Sequence, residues 1–129
     1  MLLVDSSIWI EVFRRRDPLD LEAITPLVEI ATCLPVIQEV LQGMRDEKQH
    51  DVARAAMLAF PIVESPLTTG VFLEAAALYR KGRKAGITIR SGVDCLVAVC
   101  ALRNGLTVLH RDRDFDRIAE ISRLKTLSP

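Results

Sequence analysis

Four carboxylates are spaced so that an α/β chain would bring each of them to one mouth. Asp5 closes the apolar run Met1-Leu2-Leu3-Val4, and Glu39 lies in the amphipathic segment Val36-Ile37-Gln38-Glu39-Val40-Leu41. Asp94 opens an almost wholly apolar stretch, and Asp112 follows the strand-like Leu106-Thr107-Val108-Leu109-His110. Acids at the carboxyl ends of strands, or on helices flanking them, are badly placed for packing and well placed to hold a divalent cation. Phosphodiester hydrolysis needs in-line attack by water and positive charge facing the attacking and leaving oxygens. Paired Mg²⁺ or Mn²⁺ ions supply both, and hard oxygen ligands suit them. On this reading Asp5, Asp94 and Asp112 ligate directly, while Glu39 completes the ring or orients a water. Asp114 is a fifth candidate, because Asp112-Arg113-Asp114 lets one loop offer two side chains.

Each acid also has a plainer role. Asp5 before Ser6-Ser7 fits a helix N-cap, and Asp94 fits a favourable charge at a helix start. Asp112, Asp114 and Asp116 alternate with Arg111, Arg113 and Arg117, as a solvated face would. Glu39 is harder to dismiss, since an unpaired carboxylate on an apolar helix is costly to bury.

The elements that must position these groups read as short buried strands alternating with helices. Strands are expected at 1–4, 33–34, 61–64, 107–109 and 124–127. A first helix follows Asp5-Ser6-Ser7 with Ile8, Trp9, Val12 and Phe13 on its apolar face. A second spans 19–31 unless Pro26 breaks it. A third runs from Pro35 to Gly43, with the glycine as its C′ residue. The next covers 46–60, with Val52, Ala55, Ala56 and Ala59 lining one apolar face. The longest, 68–84, carries Val71, Phe72, Ala75, Leu78 and Tyr79 at helical spacing. Ser91 caps a buried helix that ends at Asn104-Gly105, and 115–121 forms a last short one. Trp9, Phe13, Phe72 and Phe115 are all read as packing residues. The alternation predicts an α/β fold, a three-layer α/β/α sandwich around a short central parallel sheet.

The chain has 129 residues, which suits a single domain over 1–129 with a real core. Its formal net charge is zero, so no global field draws it to nucleic acid or membrane, and any polyanion site must arise from local clustering. Cys33, Cys95 and Cys100 are odd in number, form no C-x-x-C pair and sit among apolar residues, as reduced thiols of a cytoplasmic protein do. No signal peptide is expected, and the apolar stretch 95–102 is too short to span a bilayer.

Leu3-Val4-Asp5-Ser6-Ser7, Glu39-Val40-Leu41-Gln42-Gly43, Asp94-Cys95-Leu96-Val97-Ala98 and His110-Arg111-Asp112-Arg113-Asp114-Phe115 resemble, in order, the signatures of PIN-domain ribonucleases. More narrowly they resemble the VapC-type toxins of bacterial toxin–antitoxin pairs, over essentially the whole chain. The resemblance implies a Mg²⁺- or Mn²⁺-dependent endoribonuclease that cuts structured RNA of the transfer or ribosomal class. It places Asp5, Glu39, Asp94 and Asp112 on the family's acidic quartet, with Asp114 as an accessory metal ligand. Ser6 or Ser7 falls where the family has a small hydroxyl beside the first Asp, and His110 stands where many members have Thr or Ser. A cognate VapB-type antitoxin that inserts a basic side chain among the acids, and a homodimer, are implied as partners.

Arg80, Lys81, Arg83, Lys84 and Arg90 form a positive stripe with no intervening acid, and it leads directly to Asp94. It could grip RNA phosphates or be a solvated helix end. Arg90-Ser91 could address a scissile phosphate. His110 could act as a general acid or fill a strand end, and metal mechanisms require no histidine. Phosphoaspartyl chemistry fits poorly: Ser7 stands where a second acid is wanted, and Lys125 lies inside the terminal strand. A PIN-like protein that binds RNA or a partner without turnover is the alternative reading.

Overall fold

A computed structural model describes residues 1–129 and shows five strands, all parallel, in the order β3-β2-β1-β4-β5. The strands are β1 (Leu2–Val4), β2 (Ile30–Cys33), β3 (Ile62–Val63), β4 (Thr107–Leu109) and β5 (Thr126–Leu127). The helices are α1 (Ser6–Val12), α2 (Leu34–Gln42), α3 (Glu47–Ala59), α4 (Thr69–Lys84), α5 (Gly92–Asn104) and α6 (Arg113–Glu120). Helices α1, α2 and α3 pack on one another, and α4, α5 and α6 form a second group. The result is the expected three-layer α/β/α sandwich.

Strands this short are held by burial on both faces. Leu3, Val4, Ile30, Val108 and Leu109 are fully inaccessible, part of one core cluster of 26 buried residues. The most enclosed helix is α5: Cys95, Val97, Ala98, Val99, Cys100 and Ala101 are buried around its axis. Ser91 caps its start by accepting from Val93 N at 3.3 Å, and Gly105 ends it at φ 63°, a left-handed conformation that only glycine adopts cheaply.

Several sequence expectations are corrected. No helix spans 19–31: there are two 3₁₀ turns, Leu21–Ala23 and Leu27–Glu29, with extended backbone at Pro26 between them. The residue before a proline is pushed out of the helical region, and Ile30-Ala31 gain more by pairing with Leu2-Leu3. Consequently β2 is Ile30–Cys33, and Leu34 already belongs to α2. Gly43 caps α2 at φ −81°, so no left-handed residue ends that helix. Helix α3 buries Ala53 and Met57 while Val52, Ala55 and Ala59 face outward; apolar content alone misplaced its inner face. Phe72 is half exposed and packs less than expected. Helix α6 begins at Arg113, two residues earlier than predicted, because Asp112 caps it.

Candidate metal centre

β1 and β4 lie side by side at the centre of the sheet, and their chains leave in opposite directions. α1 leads toward β2, and α6 leads toward β5. Divergence at such a switch point opens a crevice beyond the carboxyl ends of the strands. Asp5 and Asp112 flank it: Asp5 N donates to Leu109 O at 2.9 Å, which fixes the first acid against the end of β4.

Asp5 is 2 % exposed and caps α1. Its Oδ2 accepts from Ser7 N at 3.1 Å and from Ser7 Oγ at 2.6 Å, while Oδ1 is buried with no donor. Ser7 Oγ also accepts from Arg111 N at 3.0 Å, tying the β4–α6 loop to the start of α1. Ser6 Oγ donates to Glu39 Oε1 at 3.2 Å and aims that side chain from α2 into the crevice. Asp94, in the first turn of α5, is 4 % exposed, and its Oδ2 is buried without a partner. Asp112 Oδ1 accepts from Asp114 N at 3.0 Å, and Asp112 N donates to His110 Nδ1 at 3.1 Å. The other ring nitrogen, Nε2, lies 3.3 Å from Asp116 Oδ1. His110 is buried and orients the loop.

Asp114 is 1 % exposed, so it is no part of a solvated face. Its Oδ2 accepts from Arg90 N at 3.0 Å, and its Oδ1 lies 3.2 Å from Arg117 Nη1 and 3.5 Å from Arg90 Nε. Arg90 Nη2 also reaches Asp112 Oδ1 at 3.4 Å. Of the positive stripe, Arg90 therefore meets the acids and Arg80 shares an apolar groove with it. Lys81, Arg83 and Lys84 are exposed further along α4 and join no contact with the carboxylates; Arg83 instead lies over the Tyr79 ring.

Electrostatics ties the five acids into one unit. The Asp94 carboxyl is pushed up to about 8, chiefly by burial, then by repulsion from Asp112, Asp5, Asp114 and Glu39. Burial also raises Asp5, against the opposing hydrogen bonds from Ser7 and Ser6, and Asp112 adds repulsion. Glu39 is raised by burial and then by Asp5, with the Ser6 bond opposing. The residues present fit a hard divalent ion. Asp94, Asp112 and Asp114 offer oxygens all within 4.8 Å of one another, while Asp5 and Glu39 border this trio without joining its tightest cluster. Asp5 Oδ1 and Asp94 Oδ2 are buried without hydrogen-bond partners, and an all-carboxylate set with no thiolate or imidazole suits a hard divalent cation.

Sequence reasoning missed Arg111, Arg113 and Arg117, which with Ser7, Arg90 and Asp112 line a cavity of about 440 Å³ beside the acids. Their alternation with aspartates was the available signal, and it reads equally well as an exposed helix face until Asp114 is known to be buried.

The PIN domain family matches residues 2–121. A VapC ribonuclease of Mycobacterium bovis is 36 % identical over 133 residues, covering 99 % of this chain and 98 % of that protein. Ribonuclease VapC11 of Mycobacterium tuberculosis matches to the same degree. Among solved structures, VapBC2 of Rickettsia felis, bound to a DNA fragment from its promoter, superposes with a TM-score of 0.78 at 15 % identity, covering 99 % of this chain and 98 % of that one. VapC20 of Mycobacterium tuberculosis, a sarcin-ricin loop cleaving toxin, gives 0.73 at 19 % identity, with 97 % and 99 % covered. The chain belongs to the PIN-domain family, in its VapC branch. No helix is long and apolar enough to cross a membrane.

Proposed function

We propose that residues 1–129 act as a single-domain, Mg²⁺- or Mn²⁺-dependent endoribonuclease toxin that cleaves structured RNA and is silenced by a VapB-type antitoxin. One observation carries this reading: Asp94 lies close enough to Asp5, Glu39, Asp112 and Asp114 to be repelled by all four, so five carboxylates from four separate segments face one crevice. Asp94, Asp112 and Asp114 would hold the ion with Asp5, and Glu39 would complete the ring. A bound divalent ion supplies positive charge opposite the phosphoryl oxygens and acidifies water. The chain's own residues prepare that site. Ser7 occupies Asp5 Oδ2 and leaves Oδ1 for a cation, Ser6 aims Glu39, Ser91 fixes the start of α5 and hence Asp94, and His110 holds the backbone of Asp112. Arg80, Lys81, Arg83, Lys84 and Arg90 extend a cationic path along which the RNA backbone approaches.

Inhibition follows from the same charge. A guanidinium already rests on Asp112 and Asp114 from within the chain, so a basic side chain of an antitoxin would find the same oxygens. The exposed Ile10, Phe72 and Leu73 supply apolar surface for a homodimer or an antitoxin segment. The test incubates purified protein with structured RNA in Mg²⁺, in Mn²⁺ and in EDTA, beside Asp5→Asn and Asp94→Asn. Metal-dependent cleavage that both substitutions abolish is expected. Cleavage in EDTA, or cleavage that survives both changes, overturns the reading. Binding without cleavage in every condition would leave a non-catalytic RNA- or partner-binding protein.

A further inference from the structure

We infer that the cavity lined by Arg90, Arg111, Arg113 and Arg117 is a phosphate subsite that seats a backbone phosphate of the RNA next to the one being cleaved. The inference rests on the ribonuclease reading for its substrate and on separate geometry for its place. Four guanidiniums from the loop before α5, the β4–α6 loop and α6 converge on one polar cavity of about 440 Å³ with no hydrophobic side chain in its wall. Glu11, Asp112 and Asp114 offset three of these charges, and Arg113 adds a fourth that no carboxylate meets, so the cavity has positive charge left over for an anion. A volume of this size is in the range of ligand sites, and a wall of charged and polar residues suits an anion better than an apolar side chain or lipid tail.

Three of the four guanidiniums are anchored to neighbouring oxygens and keep other donors free. Arg111 Nε is fixed by Glu11 at 2.7 Å, Arg117 Nη1 by Asp114 at 3.2 Å and Thr88 O at 3.1 Å, and Arg90 by Asp112 and Asp114. Arg113 has no such partner and is exposed. A guanidinium carries five N–H donors in a planar fork that matches two phosphate oxygens, so anchoring by one edge orients the remainder without exhausting it. Pre-organisation of this kind lowers the ordering cost of binding.

The choice of RNA over an acidic peptide comes from continuity. Asp112 and Ser7 line the cavity and also belong to the carboxylate centre, so an anion bound there lies alongside the reacting group. An RNA strand has a phosphate on each side of the scissile one, and only the strand can occupy both places with one covalent chain. The cavity thus supplies position and register, and it adds none of the reacting groups.

The experiment measures binding of a fluorescent single-stranded RNA to the full chain carrying Asp94→Asn, across a salt series. Arg113→Gln and the pair Arg111→Gln with Arg113→Gln are compared with Arg54→Gln on the exposed side of α3. Loss of one single-strand phosphate contact lowers the slope of log affinity against log salt by about 0.7, or about fivefold weaker binding at 0.1 M salt, and the double change by about twice that slope. Arg113→Lys should retain the slope. An unchanged slope in the double variant, or a loss matched by Arg54→Gln, overturns the subsite. Retained RNA binding with lost binding of a poly-glutamate peptide would show a protein-facing site and overturn it as well. If the unsubstituted chain cuts no RNA yet the slope still falls, the ribonuclease reading fails and the cavity stands only as an RNA-phosphate site, without its place beside a cleaved bond. Cleavage with an unmoved slope sinks the subsite alone.

Discussion

Replacing Asp94 with asparagine should make the metal-free protein more stable at alkaline pH, although it removes a residue assigned to the centre. The Asp94 carboxyl moves from 3.8 to about 8 on folding. Between those values the unfolded chain has released a proton that the folded chain retains, so the folded state binds more protons and stability falls as pH rises. The contribution is intact below about pH 4 and is fully lost above about pH 8. One pKa unit is worth about 1.4 kcal/mol, which sets a ceiling of about 6 kcal/mol for the whole interval. The crevice opens to water on one side, and Asp5 and Glu39 take up protons of their own, so about half of that ceiling, 3 kcal/mol, is the expected gap. For a domain of this length such a gap is about 10 °C in Tm. Thermal unfolding in EDTA from pH 4 to pH 9 should therefore show the unsubstituted protein and Asp94→Asn starting together and separating steadily, with the variant higher. Adding Mn²⁺ at pH 8 should raise the unsubstituted protein and leave the variant nearly unmoved. Parallel curves, or a variant that is less stable at pH 8, would refute the claim that burial and neighbouring charge load this carboxyl.

The same loading predicts that Mn²⁺ binding at pH 7 displaces about one proton per protein and tightens as pH rises, which calorimetry in buffers of different ionisation enthalpy would read. Ser7→Ala removes the 2.6 Å bond to Asp5 and the 3.0 Å bond from Arg111 N, so urea unfolding should show a loss of about 1–3 kcal/mol. Met57→Ala should cost about 2–5 kcal/mol, whereas Val52→Ala on the outer face of the same helix should stay within about 0.5 kcal/mol. Gly105→Ala places a Cβ in the left-handed region and should cost about 1 kcal/mol, measured the same way.

The acids could be picked out before any fold was known because their neighbours are so apolar. Val4-Asp5 and Leu109-His110-Arg111-Asp112 each put a carboxylate at the end of a strand too short and too hydrophobic to lie on the surface. Burial on both faces leaves such strands one place, and parallel order leaves their carboxyl ends on one side, so period and composition determined the sheet, the layers and the side on which a site must lie. The helix starts at Asp5 and Ser91 were legible for a similar reason: their capping chemistry is local.

What the linear order left open was set by contacts between segments far apart in sequence. Helix 19–31 fails because Ile30 and Ala31 are claimed by Leu2 and Leu3, a pairing that no local propensity encodes. The inner face of α3 was misjudged because alanines crowd both sides of that helix, and only its neighbours decide which are covered. Asp114 and its arginines are the sharpest case. Alternating charge suits an exposed face, yet the close of β4 against Asp5 turns Asp114 inward to 1 % exposure and leaves Arg111, Arg113 and Arg117 facing one cavity. The sequence by itself determined that carboxylates would gather. Which cations would stand beside them was decided by tertiary packing, because the direction of a charged side chain at a loop–helix junction depends on what has already filled the crevice.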